Sequence, residues 1–232
     1  MLAVVLAGAF VAVPPLLAPR RSEAALTGAV RDAVAEYWLS GAREFPPALA
    51  GLVEYWTGYH LIKAVTAGLL LIVLVVLAVR AGRRPALASL AAVPALFAAA
   101  LVMANVQGAL APFASLLPMA VGGGAPSALE PARENLAGSL ASGASPAPAV
   151  EVMVADFAYY HVAMVVIAAV VAVALAVVSW SFWKRPAVMP GRRWWAVSSA
   201  VAALLVSVIA VANTGTAADP APALLAFLGG GW

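Results

Sequence analysis

The stretch LIKAVTAGLLLIVLVVLAVRAGRRP, residues 61–85, decides the fold class. Leu61–Val79 carries one charge, Lys63, and is followed by Arg80, Arg83 and Arg84 with no acid among them. About 20 apolar residues of helix cross a bilayer core, and a lysine one turn inside such a helix reaches the headgroups with its ammonium. The stretch reads as a transmembrane helix that ends in a basic turn.

Three further runs have the same character: Pro85–Ala104, Val162–Trp183 and Trp194–Ala212. The second pair is joined by KRPAVMPGRR, with Lys184, Arg185, Arg192 and Arg193 and again no acid. By the positive-inside rule both basic turns are expected in the cytoplasm. All ten acids lie away from those turns and outside the four runs. The main loop and the C-terminus are therefore expected to be extracytoplasmic.

Composition agrees. The chain is 65% hydrophobic and 10% charged, with mean hydropathy +1.00, whereas a soluble domain carries about 25% charged residues. Its partner is the lipid bilayer. Nucleic acid is not expected despite the net charge of +3, because the cations flank apolar spans and form no patch of their own. The absence of cysteine excludes disulfides and thiol chemistry.

Residues 1–24 read as a signal peptide or N-terminal anchor: apolar, short, broken by Pro14-Pro15, with small residues in SEAA at 22–25 and an awkward Arg20-Arg21. Residues 25–59 read as an amphipathic extracytoplasmic cap. Leu26, Val30, Val34 and Tyr37/Trp38 form one helical stripe, and Gly41 is the expected stop.

An internal repeat organises the rest. At an offset of 101, Pro47, Trp56, Tyr59 and His60 fall on Pro148, Phe157, Tyr160 and His161; at 108, Asn105, Pro112 and Leu116-Leu117 fall on Asn213, Pro220 and Leu224-Leu225. The fold expected is an all-α integral membrane protein, a four-transmembrane-helix bundle from two parallel-repeated helical hairpins with an extracytoplasmic helical cap. Residues 60–118 are the first hairpin, 119–147 a linker whose middle is a short helix, and 148–232 the second hairpin with a C-terminal tail.

The repeat places the chain's two histidines, His60 and His161, in one setting, each after a tyrosine, Tyr59 or Tyr160. Asn105 and Asn213 are read as closing the neighbouring helices, so that the four form one polar layer at the outer mouth. Polar groups in a membrane need partners and are functional candidates. The plain reading is interhelical hydrogen bonding. The sharper reading is a pair of haem b axial ligands or metal ligands, His60 and His161. A copper variant adds Met164, one turn after His161.

At ANVQGALAPFASLLP, DFAYYHVAMVV and ANTGTAADPAPALLAFLGGGW the chain resembles a group of multi-pass envelope proteins of actinobacteria, labelled by their secretion signal. The resemblance covers most of residues 50–232 and implies a bacterial plasma-membrane protein without implying an activity. The function expected is a non-enzymatic accessory or scaffold protein with partners in an envelope complex. A haem- or metal-binding redox protein and a small-molecule binding or transport protein are the alternatives.

Overall fold

A computed structural model describes residues 1–17, 22–81, 84–121, 129–186 and 191–231. Arg20, Arg21, Arg83 and Trp232, which entered the sequence reading, lie outside them. The described residues form helices α1 (Leu2–Leu17), α2 (Glu23–Ser40), α3 (Pro47–Arg80), α4 (Pro85–Leu110), α5 (Pro112–Val121), α6 (Glu130–Ser142), α7 (Pro148–Trp183), α8 (Arg192–Ala218) and α9 (Pro220–Leu228), and no strand.

Proline and glycine set the boundaries. Helices α3, α4, α5, α7 and α9 begin at proline, whose fixed φ suits the first helical position and whose missing N–H is not needed there. Gly41 and Gly143 end α2 and α6 in the left-handed region, at φ 63° and 69°. In both, the preceding serine, Ser40 or Ser142, donates back into its own helix and accepts from the amide of Ala42 or Ala144. Ser22, within the SEAA stretch, is the N-cap of α2 and accepts from Ala25 N at 3.1 Å. The Pro14-Pro15 pair, read as a break, lies inside α1; near a helix end proline forfeits few backbone bonds.

Four described helices are long and apolar enough to cross a membrane: Pro47–Arg80, Leu87–Leu110, Pro148–Trp183 and Arg192–Ala218. Two of them start ahead of the apolar runs at Leu61 and Val162: α3 opens at Pro47 and α7 at Pro148.

The chain divides into two compact units. Unit 1 comprises Met1–Leu17, Leu61–Val106 and Met164–Asn213. Its outer surface is apolar: Val65, Leu69 and Ile72 of α3, Val170, Val173 and Val177 of α7, and Val201, Leu204 and Val208 of α8 are exposed. Exposed apolar surface on this scale suits a membrane environment. Small residues dominate its interior, where Ala95 and Ala98 meet Leu74, with Ala3, Leu70 and Leu71 against them. Lys63 Nζ lies 4.7 Å from the centroid of the Phe10 ring.

Unit 2 comprises Ala18–His60, Gln107–Ala163 and Thr214–Trp232. Here α2 rests on α5 and α6 on α9, around a core that includes Tyr37, Leu49, Phe113, Leu117, Met153 and Leu224. Among its described residues the exposed large hydrophobics are few: Leu39, Leu110, Leu140, Tyr159 and Val162. Tyr37 is fully buried, packs edge-on against Phe45 and Phe113, and donates its hydroxyl to Arg43 O at 3.0 Å. Burial pushes its phenol up to about 12, against the opposing pull of Arg43.

Charge follows the same division. Unit 1 holds eight basic residues and no acidic one, whereas unit 2 holds five basic and all ten acidic residues. The net +3 of the chain thus resolves into +8 and −5.

Candidate functional site

The two histidines sit in matching aromatic surroundings within unit 2. On α3 the His60 ring meets Trp56 edge-on, with centroids 4.8 Å apart at 89°, and Tyr59 at 5.7 Å and 86°. Trp56 in turn stacks on Tyr59 at 5.0 Å and 4°, and its indole donates to Ser115 Oγ of α5 at 2.6 Å. On α7 the His161 ring meets Phe157 at 4.6 Å and Tyr160 at 5.5 Å. Phe157 also contacts the Phe227 ring of α9 at 5.8 Å. An aromatic residue four positions before each histidine lies over the same helical face, which explains why both rings are edge-packed in the same way.

One turn of α4 touches both histidine segments. A Cβ at Gly108 would lie 2.7 Å from His60 Cε1 and Nε2. No real Cβ approaches a ring that closely, so the imidazole packs directly on the bare backbone of α4. His60 Nε2 is itself a buried atom. The neighbouring Gln107, buried, donates its side-chain amide to Tyr160 O at 3.0 Å, one residue from His161. An amide inside an apolar bundle must find a partner, since leaving it unsatisfied costs about 1–3 kcal/mol, and Gln107 finds its partner across the gap to α7.

Asp156, on α7 one turn before Tyr160, has a different task. Its Oδ2 accepts from Ala114 N at 2.7 Å. Ala114 is the third residue of α5, and its N–H is one of those a helix leaves without an internal partner. The residue before α5 is Ala111, which has no side chain to cap it. Asp156 supplies the missing cap from another helix, with its negative charge at the positive end of the helix dipole.

The asparagines do not close their helices. Helix α4 continues from Asn105 to Leu110, and α8 from Asn213 to Ala218. Each side-chain amide donates to the carbonyl four residues back, Asn105 to Leu101 O at 2.7 Å and Asn213 to Ile209 O at 2.8 Å. Back-bonded in this way, each side chain stays along its own helix instead of marking its end, and the helix runs on past the expected stop. Asn105 and Asn213 belong to unit 1, as does Met164, half-buried one turn beyond His161 on α7. Ala67 and Ala168, small residues that could make room beside the histidines, are fully buried in unit 1. Among the described residues no group of three or more His, Asp or Glu is placed to hold a metal ion.

Gln107, Gly108, Asp156 and the Trp56–Ser115 pair were not singled out as site residues from the sequence. One signal was present: a Gln-Gly pair in an otherwise apolar helix is expensive in lipid unless something faces it. No protein-family model matches the chain, and no curated protein or solved structure matches it.

Proposed function

We propose that the chain is a non-enzymatic, multi-pass membrane protein, an accessory or scaffold component of a bacterial envelope complex, in which the histidines hold helices together. The observation that carries this reading is the seat of His60: its ring lies on Gly108 of α4, edge-packed by Trp56 and Tyr59, with Nε2 buried. The ring face is thus used for packing against the α4 backbone, which is what an interhelical contact requires.

On the same reading, the chain is two parallel repeats, each a membrane hairpin flanked by an outer helix and a closing helix. In support, α2 and α6 end at the same Ser-Gly geometry, α2 rests on α5 as α6 does on α9, and Asn105 and Asn213 make the same back-bond. Unit 2, which holds every acid, is the extracytoplasmic cap, and the basic turns of unit 1 face the cytoplasm. The plasma membrane is then its location.

The test separates packing from ligation. With His60→Gln and His161→Gln made singly and together, packing predicts losses on the order of 1 kcal/mol per site that add, and a colourless protein. A haem b or metal clamp predicts that either change alone abolishes a visible absorption band and that the double variant is little worse than a single one. Melting temperature and the visible spectrum of the purified protein read both outcomes.

A further inference from the structure

We infer that the groove between α7 and α8 in unit 1 binds an anionic phospholipid, with an acyl chain in the groove and the headgroup phosphate held by Lys184 and Arg192. The groove has a volume of about 500 Å³ and is lined by Ala176, Ser179, Trp180, Trp183, Ala200 and Ala203. It is of the size of ordinary ligand sites, which run from about 300 to 1,000 Å³.

The sequence makes this groove for a physical reason. Residues 176, 179/180 and 183 repeat at helical spacing on α7, and 196, 200 and 203 on α8. Where the two helices are joined, Ser179 Oγ, buried, donates to Ala196 O at 2.7 Å. Beside that contact the small side chains of Ala176, Ala200 and Ala203 leave the helix surfaces apart, and the two indoles form a wall. Trp180 and Trp183 are exposed at 62% and 47%, which an apolar partner would cover.

The cations are fixed to that wall. Lys184 Nζ lies 4.8 Å from the centroid of the Trp180 ring. Arg192 Nη1 donates to Trp183 O at 2.8 Å. One cation thus lies on the Trp180 ring and one on the main-chain carbonyl of Trp183, both groove residues, with Arg185 and Arg193 next to them in sequence. Helix α8 starts at Arg192, so the open N–H groups of its first turn add positive potential there. Unit 1 contains no acidic residue to pair with these four cations. No carboxylate within the unit competes for these cations, and an anionic lipid supplies a phosphate for them and a chain for the groove together. The first basic turn, with Arg80 and Arg84, has no tryptophan beside it.

Native mass spectrometry of the detergent-purified protein tests this, with added phosphatidylglycerol or phosphatidylcholine of identical acyl chains. Phosphatidylglycerol is expected to be retained preferentially, as a single molecule per chain, and glycerol phosphate, which lacks the chains, should not displace it. Lys184→Gln with Arg192→Gln should reduce the preference by roughly 25-fold, about five-fold for each cation. The charge-keeping pair Lys184→Arg with Arg192→Lys should restore it. Ala200→Phe, which fills the groove and keeps every cation, should also abolish retention, whereas Arg80→Gln with Arg84→Gln should leave it unchanged. Equal retention of both lipids, binding that survives Ala200→Phe, an equal loss in the Arg80/Arg84 variant, or a second copy of the chain bound in place of lipid would each overturn the assignment.

Discussion

Gly108→Ala is expected to destabilise the protein by about 1–3 kcal/mol, the usual cost of overpacking a tight interior. The result would be contrary to helix propensity, which favours alanine over glycine by about 1 kcal/mol. The decisive magnitude is the 2.7 Å approach of the new Cβ to the His60 ring. Movement of the ring is restricted, since Trp56 and Tyr59, stacked on each other, pack against it at 4.8 and 5.7 Å between centroids. The sign should reverse in a His60→Ala background, where the obstacle is gone and Gly108→Ala becomes stabilising by about 1 kcal/mol. Thermal unfolding of the two single variants and the double variant measures this coupling, and additive effects would show that the ring does not rest on α4.

Asp156→Ala should cost about 1–3 kcal/mol, because it strands the Ala114 amide, an unsatisfied donor in a partly buried position. Asp156→Asn keeps an acceptor and loses only the charge at the helix N-terminus, so it should cost less, about 0.3–1 kcal/mol. The loss should be local before it is global. Amide exchange in α5, Pro112–Val121, should accelerate in Asp156→Ala more than in α6, because α5 loses its cap while α6 keeps its own contacts. Unchanged α5 protection would mean that Asp156 serves some other end.

The contrast between these two sites and the rest of the molecule shows what was legible in the sequence. Four helices fit to cross a membrane followed from Leu61–Val79 and its three companions, because an unbroken apolar run is a local property. The stripe Leu26, Val30, Val34 and Tyr37 is buried along α2, and Gly41 ends that helix, since periodicity and a left-handed stop are also local. Asn105 and Asn213 misled for the same reason: an amide at the end of an apolar run resembles a helix end until its bond to the fourth preceding carbonyl is seen. Helix α5 was hidden because Pro112 follows α4 with only Ala111 between, and its cap comes from a residue 42 positions away. Gly108 was hidden because the meaning of a missing side chain lies in the ring that fills the space. Nothing within α4 states that His60 is opposite.

All acids lie in one unit and eight cations without an acid in the other, and the orientation of that charge division in the membrane is directly measurable. The chain has no cysteine, so single cysteines placed at Ala81, in the first basic turn, and at Glu134, exposed on α6, report without background. In intact bacterial cells treated with a membrane-impermeant thiol reagent, Glu134→Cys should be labelled and Ala81→Cys should react only after the membrane is permeabilised. Labelling of Ala81→Cys in intact cells with Glu134→Cys protected would invert the topology and place the acidic unit and its histidines on the cytoplasmic side.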